Sequence, residues 1–344
     1  MKEIIKRDIV LLKNPLVMVS VFLFVIVGFS SGMYYKSSDF GANEESQQIR
    51  VGVGEFTNPL LECEVTKNSI NSTIVFFDSQ LKNLVKDIIS RENLTHISLY
   101  FRDLNNGPVI GINEDEIFMP ASLLKVPVMM SYLKHSETDP SIFSQKIYYK
   151  SDQKIEFEQI FPPEVKLEEN KEYSVTDLID RMIKYSDNQA LAILWPYISM
   201  EEYAKLYNAL GVDSKSLLEK NHGLTVKEYS RFFRILYNSS YLSQSNSEKA
   251  LKTLSQTKFT EGIRKNMPKD IVVASKFGEI GIDEQIKQIH ECGIVYYPNH
   301  PYLICIMTRG PNPKYLTKSI SEISDFVFSE VKKQYTKVSP DQVR

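Results

Sequence analysis

Strand-like segments lie near both ends of the chain, and the long stretch between them is helical in pattern. Residues 95–102 alternate between apolar and polar side chains, 105–107 are a hairpin turn signal, and 108–112 supply the returning strand. Alternation returns after Pro268, in residues 271–276, 289–296 and 302–307. Because strands need partners for their backbone hydrogen bonds, the early and late strands are expected to meet. This predicts one antiparallel sheet of about five strands.

Helices are predicted at both ends and in the middle. Apolar residues recur every three or four positions over residues 76–89, which predicts an amphipathic helix, and a closing helix is predicted over 320–332. The central helices run from a cap at 174–177 through Lys184, over 201–210, and from a capping box at 225–228 to near Tyr237. The predicted fold class is therefore α/β of the α+β type. Terminal helices flank the sheet, and residues of about 121–265 form an all-helical lobe.

The N-terminal region contains an apolar stretch without charge. Residues 14–35 are rich in Val, Phe, Leu and Ile, and they are long enough to cross a hydrocarbon core of about 30 Å as a helix. Four basic residues precede the stretch: Lys2, Lys6, Arg7 and Lys13. By the positive-inside rule they stay cytoplasmic, so the remaining chain is expected outside. A cleaved signal peptide ending near residues 30–32 is the alternative, and the length of the stretch favours an uncleaved anchor.

This pattern divides the chain into three regions. Residues 1–36 are predicted to form a cytoplasmic tip and a single-pass transmembrane anchor in the cell membrane. Residues 37–57 are polar without clear periodicity and form a tether. Residues 58–344 are expected to form the extracytoplasmic domain.

The composition argues against several kinds of partner. The 344 residues carry a formal net charge of -2, whereas nucleic-acid binding usually needs a basic surface. The three cysteines lack the spacing of metal ligands, and the five histidines do not cluster. We therefore expect no nucleic-acid partner, no metal and no other cofactor. We also expect a monomer.

Two cysteines are placed symmetrically about a predicted turn. Cys292 and Cys305 are equally distant from the centre of residues 298–299, so they are expected to lie opposite each other on adjacent strands. In an oxidising compartment they could form a disulfide and leave Cys63 free. We prefer the interpretation that they are two small, buried, unlinked side chains.

A serine and a lysine three residues apart open an apolar helical segment. Ser122 and Lys125 share one face of this helix, so the lysine amine can reach the serine hydroxyl. The segment is apolar on nearly every side, and burial lowers a lysine pKa from about 10.4. A neutral amine near pH 7 can accept the serine proton. Five other serines have a lysine at this spacing, so the apolar setting is what distinguishes Ser122.

Two further short motifs follow Ser122 and Lys125 along the chain. Residues 186–188 (Ser-Asp-Asn) occur once in the chain, at the end of a capped helix, and residues 276–278 (Lys-Phe-Gly) end the first late strand. The order Ser-x-x-Lys, Ser-Asp-Asn, Lys-x-Gly resembles the motifs of class A β-lactamases and penicillin-binding proteins. The resemblance covers residues from about 58 to the C-terminus. The chain is too short for the large multidomain penicillin-binding proteins, so class A-like serine hydrolases are the better match.

The resemblance implies roles in a reaction. Ser122 attacks an amide carbonyl and forms an acyl-enzyme, while Lys125 takes its proton. Ser186 relays a proton to the leaving nitrogen. The backbone N–H groups of Ser122 and Glu279 form the oxyanion hole, where each donor contributes about 3–4 kcal/mol in comparable sites.

The resemblance also implies how the substrate is held. Asn188 binds a side-chain amide of the substrate, and Lys276 offers positive charge to a substrate carboxylate. Gly278 leaves the strand edge bare, so that substrate backbone can lie along it as an added strand. Asp187 is expected to be structural, accepting hydrogen bonds that fix its turn.

Two features depart from the pattern of these families. Phe277 stands where Thr or Ser is usual, so the hydroxyl that helps to bind a β-lactam carboxylate is missing and that binding should be weaker. Residues 210–225 are too few for the loop whose glutamate activates the deacylating water in class A enzymes. Glu219 lies in this stretch without the Leu-Asn that should follow it, so we expect it to be an ordinary surface residue.

The sequence therefore predicts a membrane-anchored, extracytoplasmic serine hydrolase for β-lactams or peptidoglycan-like amides, with slow deacylation. Two alternatives stay open. The same motifs permit a DD-peptidase that acts on peptidoglycan-derived peptides. Phe277 and the short loop favour a binding protein that keeps the fold without turnover.

Overall fold

A central antiparallel sheet organises the chain in a computed structural model. The structure describes residues 54–59, 72–105, 107–154, 159–212, 223–282 and 285–336. These residues belong to a compact unit that spans residues 48–344. The predicted membrane span and Cys63 lie outside them. No helix in these ranges combines the length and the apolar content that a bilayer crossing requires.

The described residues contain eight α-helices and nine strands. In chain order they are α1 (Ser72–Arg91), β1 (His96–Asp103), β2 (Val109–Ile112), β3 (Ile117–Phe118), α2 (Lys125–His135), β4 (Lys146–Tyr149), β5 (Lys171–Ser174), α3 (Val175–Lys184), α4 (Asn188–Leu194), α5 (Met200–Ala209), β6 (Leu224–Thr225), α6 (Val226–Tyr237), α7 (Gln244–Ser255), β7 (Val272–Gly281), β8 (Lys287–Tyr296), β9 (Tyr302–Gly310) and α8 (Pro313–Thr336).

The main sheet has five strands in the order β2-β1-β9-β8-β7, and every neighbouring pair is antiparallel. The predicted sheet is thus confirmed, although its last three strands begin or end beyond the predicted limits. Strand β7 lies at an edge. Its register places Lys276 opposite Cys292 of β8. The third of the three sequence motifs, residues 276–278, therefore lies on an edge strand.

The sheet is buried on both faces. On one face, side chains such as Val273 and Ile306 pack against α1 and α8, the two terminal helices. On the other face, Ile294 and Met307 join the larger core of the helical lobe. Alternate residues of each strand therefore serve different cores, which explains why these strands are almost continuously apolar.

Local capping signals begin two lobe helices at the predicted residues. The Ser174 hydroxyl accepts the Asp177 N–H at 3.0 Å, and the Asp177 carboxylate accepts the Ser174 N–H in return. Thr225 and Glu228 make the same reciprocal pair at α6. Helix α7 was not predicted, because its sequence is mostly polar and its apolar periodicity is short.

Cys292 and Cys305 are directly opposite each other on β8 and β9, as the turn predicted. They are joined by a disulfide and are almost fully buried. The preferred interpretation of two unlinked side chains was therefore wrong. Directly opposed residues on neighbouring strands project from the same face, so the register brings the sulfurs together.

Part of the predicted tether packs on the domain. Phe56 is buried against the ring of Tyr296. The carboxylate of Glu248 accepts the N–H groups of Phe56 and Thr57, at 3.0 and 2.8 Å. The described segment 54–59 is consequently fixed to α7 and to β8.

Candidate active site

Ser122 lies in a tight turn just before an α-helix. A 3₁₀ turn, Ala121–Leu124, leads directly into α2, which begins at Lys125. Ala121 adopts a positive φ of 49°, a conformation that costs a non-glycine residue energy. The side chain of Ser122 is half-buried, whereas Leu123 beside it is fully buried. The turn thus presents the hydroxyl at the rim of the core.

Lys125 connects this serine to the second motif. Its Nζ lies 2.9 Å from Ser122 Oγ, 3.1 Å from Ser186 Oγ, 2.6 Å from the Ser186 carbonyl oxygen and 2.7 Å from Asn188 Oδ1. Burial lowers its pKa from 10.5 to about 7, although the negative charges of Asp187 and Glu279 act in the opposite direction. A substantial share of neutral amine, whose lone pair can accept the Ser122 proton, is therefore present near neutral pH.

The second motif is a strained turn that caps a helix. Ser186 has a positive φ of 56°. The carboxylate of Asp187 accepts the N–H groups of Gln189 and Ala190, at 2.8 and 3.2 Å, and so begins α4. This is the structural role expected of Asp187. Asn188 turns its Oδ1 to Lys125 and accepts a hydrogen bond from the lysine amine at 2.7 Å, which orients this amine.

Lys276 reaches the same serine from the edge strand. Its Nζ donates to Ser186 Oγ at 2.9 Å and to the Phe277 carbonyl oxygen at 2.7 Å. The side chain is fully buried. Burial, and then the nearby charge of Lys125, lower its pKa well below 10.5, against the opposing effects of Glu291 and Glu279. Lys276 is therefore better placed to share protons with Ser186 than to present a fixed positive charge.

Gly278 allows strand β7 to approach the 3₁₀ turn Ala121–Leu124, which carries Ser122 and is called the nucleophile turn below. A Cβ at this position would lie 2.9 Å from the Pro120 carbonyl oxygen and 3.0 Å from the Leu123 nitrogen. Any larger residue would push β7 away from the turn that carries Ser122. Within the described ranges, no strand pairs with the outer edge of β7. That edge is where the resemblance predicts substrate backbone to lie.

Phe277 belongs to an aromatic cluster beside the site. Its ring stacks on Phe259 with 4.1 Å between centroids, and Phe161 meets both rings edge-on, at 5.1 Å from Phe259 and 6.0 Å from Phe277. These three rings, with residues 162–163 and 184–185, line an open cavity of about 250 Å³. From the sequence, Phe277 was noted only because it lacks a hydroxyl. Its aromatic partners could not be predicted, because they come from segments distant in the chain.

Glu279 uses its side chain as well as its backbone. Its carboxylate accepts the Ile160 N–H at 3.0 Å and the Phe161 N–H at 3.1 Å. Gln159, the preceding residue of that segment, approaches the Ser186 carbonyl oxygen with its side-chain amide at 3.5 Å. We call residues 159–161 the strap, because they run from the second motif to the edge strand. The sequence predicted only the backbone N–H role of Glu279.

Two buried side chains of β8 hold the residue that enters the nucleophile turn. The Met119 N–H donates to Gln288 Oε1 at 3.1 Å. His290 Nε2 lies 3.0 Å from the Met119 carbonyl oxygen, while its Nδ1 accepts the Thr308 N–H at 3.3 Å. Nε2 therefore carries the proton and donates. Burial lowers the pKa of His290 to about 3, so the ring is neutral.

The remaining predictions concern Glu219, metal binding and the assembly of the three motifs. Glu219 lies outside the described residues, as do all of residues 213–222. Within the described part of the chain, no group of three or more acidic, histidine or cysteine side chains could hold a metal ion. The structure does bring the three motifs together around Ser186 and Lys125.

Comparisons with known proteins bear on this geometry. A sequence profile described as the beta-lactamase enzyme family matches residues 79–331 of the chain. The solved structure of a class A beta-lactamase from Mycobacterium abscessus is 19% identical with a TM-score of 0.62, over 74% of this chain and 99% of that one. A beta-lactamase from Chitinophaga pinensis is 18% identical with a TM-score of 0.63, over 73% and 99% of the respective chains.

A third similar structure is that of a PBP-A mutant, described as an acyl-enzyme complex with penicillin G. It is 18% identical with a TM-score of 0.61, over 74% of this chain and 97% of that one. At these identities the likeness to solved structures shows a shared fold. A search of curated proteins finds no match.

Proposed function

The chain belongs to the beta-lactamase enzyme family, and from this premise we propose that it is a serine hydrolase that forms an acyl-enzyme on Ser122. The observation that carries the proposal is the position of Lys125. Its buried amine, with a pKa lowered to about 7, lies 2.9 Å from the Ser122 hydroxyl oxygen. A base of this kind is what converts a weakly nucleophilic hydroxyl into an attacking group.

Acylation follows from the contacts around these two residues. The neutral Lys125 amine takes the hydroxyl proton while Ser122 Oγ forms a bond to the carbonyl carbon of an amide. Negative charge then develops on the carbonyl oxygen, for which the N–H groups of Ser122 and Glu279 are the expected donors. The C–N bond breaks, and the leaving nitrogen receives a proton through Ser186, whose Oγ contacts both buried lysines.

Deacylation is expected to be slow. Two carboxylates act on the charge of Lys125, those of Asp187 and Glu279. Asp187 is engaged by the N–H groups that begin α4, and Glu279 is engaged by the strap. Both oxygens of Glu279 are therefore engaged, so this carboxylate is not ready to activate a water molecule. Asp187 uses Oδ1 for its contacts and keeps Oδ2 without a hydrogen-bond partner among the described residues, but the side chain is buried in its turn. General-base assistance is typically worth about 10²–10⁴ in rate, so its loss would leave a long-lived ester.

A penicillin tests the proposal directly. We expect the intact protein to gain the mass of one penicillin molecule, with the adduct on Ser122 persisting for minutes or longer. Mass spectrometry of the intact protein, followed by peptide mapping, measures both the adduct and its position. Ser122→Ala should abolish it, which separates acylation of the site from chemical labelling of a surface lysine.

Other outcomes have distinct meanings. Rapid turnover without an accumulating adduct would contradict slow deacylation and would point to a base among residues outside the described ranges. Release of a terminal residue from a peptidoglycan-derived peptide would assign the acyl-enzyme to a DD-peptidase. Absence of both adduct and turnover would overturn the proposal in favour of a binding protein.

We further propose that this domain is anchored to the cell membrane and faces away from the cytoplasm. The support is the uncharged apolar stretch of residues 14–35 and the basic residues before it. The small-molecule or peptidoglycan-derived substrates proposed here would be met on that side.

A further inference from the structure

A tyrosine of the helical lobe binds the backbone between the proposed nucleophile and its base. The hydroxyl of Tyr229, on α6, donates to the Leu123 carbonyl oxygen at 2.8 Å. Leu123 directly follows Ser122 and lies two residues before Lys125. Both the hydrogen bond and the Tyr229 side chain are fully buried. A side chain 106 positions away in the sequence therefore holds the nucleophile turn from within the core.

The Leu123 carbonyl needs this donor because of a proline. The backbone is helical at Leu124 and at Lys125, so the nucleophile turn continues into α2 without a break. In a regular α-helix the N–H of residue 127 would donate to the Leu123 oxygen. Pro127 has no N–H. The Lys125 N–H is shared between the Ser122 and Leu123 oxygens. The tyrosine hydroxyl thus takes the place of the missing helical donor.

The surrounding elements fix the position of the tyrosine. Strands β3 and β6 pair with Phe118 opposite Leu224, so the chain that enters the nucleophile turn lies beside the chain that enters α6. The ring of Tyr229 packs against that of Phe232 with 5.5 Å between centroids. Burial raises the pKa of Tyr229 well above its usual value of 10.0. The hydroxyl therefore stays protonated and remains a donor.

We propose that Tyr229 is a positioning residue for acylation. Its hydroxyl fixes the peptide group between Ser122 and Lys125, and it thereby keeps the serine oxygen within reach of the lysine amine, at 2.9 Å. A rotation of the turn would lengthen this distance, and small displacements of reacting groups cost large factors in rate. The inference rests on the proposed function, since it concerns the step in which Ser122 loses its proton.

Tyr229→Phe tests the proposal because it removes the hydroxyl and keeps the ring. We expect the limiting rate constant of acylation by a penicillin to fall about tenfold, while the half-saturating penicillin concentration stays within about twofold. The reason is that the hydroxyl contacts the backbone of the turn and not the substrate. Timed mass spectrometry of the intact protein at several penicillin concentrations separates the two quantities. A thermal melt shows that each variant is folded at the assay temperature.

Tyr296 provides a matched control. Its hydroxyl also donates to a backbone carbonyl oxygen, that of Phe56, at 3.0 Å. Tyr296 lies on β8, four residues beyond Cys292, the residue opposite Lys276. Tyr296→Phe therefore removes an equivalent hydrogen bond outside the nucleophile turn, and it should leave both acylation quantities unchanged.

A substitution of Pro127 tests how the hydroxyl acts. Pro127→Ala supplies the backbone N–H that can donate to the Leu123 oxygen, so in this background Tyr229→Phe should slow acylation by no more than about threefold. A loss of about tenfold in both backgrounds would overturn the inference, as would an unchanged rate constant in the Tyr229→Phe variant itself. Both of these outcomes leave the proposed function intact. Absence of an adduct on the wild-type chain would overturn both.

Discussion

Ser186 is the point at which two buried lysines meet. Its Oγ lies 3.1 Å from the amine of Lys125 and 2.9 Å from that of Lys276. Burial lowers the pKa of both amines, and the charge of Lys125 lowers that of Lys276 further. The site therefore disfavours two positive charges at once. A proton can then pass between the lysines through Ser186 without placing an additional charge in the core.

Acylation should follow the protonation state of Lys125. Its pKa of about 7 predicts a rate constant that rises with pH up to neutrality and then levels off, since the neutral amine is the active base. Lys125→Ala should lower the rate constant by about 10²–10⁴. Timed adduct formation with a penicillin across the neutral pH range measures both effects.

The matched control is Lys134, a partly exposed lysine of α2 that pairs with Glu137. Lys134→Ala should leave the pH profile unchanged. An unchanged acylation rate in a folded Lys125→Ala variant would remove this residue from the mechanism and assign the proton transfer to another group.

At the scale of elements, strand β8 connects the core to the nucleophile turn. Gln288, His290 and Cys292 alternate along it and face the helical lobe. Gln288 binds the backbone N–H of Met119 and His290 binds its carbonyl oxygen, while Cys292 lies opposite Lys276. One central strand thus fixes parts of the first and third motifs relative to each other.

His290→Ala should slow acylation even where the protein remains folded. Removing the ring takes away the donor to the Met119 carbonyl oxygen, and the strained turn before Ser122 loses a support. We expect acylation to fall about tenfold, because a displaced nucleophile loses its alignment. The acylation rate constant, measured well below the unfolding temperature, checks this.

Ile323→Ala removes a comparably buried side chain on α8, on the opposite face of the sheet. Both variants should lose about 2–5 kcal/mol of unfolding free energy. Only His290→Ala should slow acylation. Equal acylation by the two variants would mean that His290 contributes to stability alone.

The sequence predicted those elements whose signals are local. Alternating strands and reciprocal caps such as Ser174 with Asp177 depend on residues a few positions apart, and they were confirmed. The contact of His290 with Met119 joins residues far apart in the chain, so no local sequence pattern predicts it. The close approach at Gly278 and the strap held by Glu279 were missed for the same reason. They arise only when β7 packs against the nucleophile turn.

At the scale of the whole molecule, the site lies where the helical lobe meets an edge of the sheet. The nucleophile turn and the Ser186 turn come from the lobe, and Lys276 comes from β7. The two terminal helices pack on the other face of the sheet, away from these residues. Lobe and sheet must therefore both be in place before the site exists.

The proposed topology predicts accessibility from one side of the membrane. Residues 16–32 should form the span, with the basic N-terminus in the cytoplasm and the hydrolase domain outside. Protease added to intact spheroplasts should digest the domain, and immunoblotting should show its loss. A domain that resists digestion until the cells are lysed would contradict this orientation. A cytoplasmic marker protein that stays intact is the control.

The disulfide between Cys292 and Cys305 closes a covalent ring around the β8–β9 hairpin. The turn at its tip includes Asn299, which adopts a positive φ, and it is partly exposed. A single cut in this turn would leave both fragments tethered through the sulfurs, with the sheet register preserved by the strands on either side. The hairpin that supports the nucleophile turn is thus held by a covalent cross-link in addition to its strand hydrogen bonds.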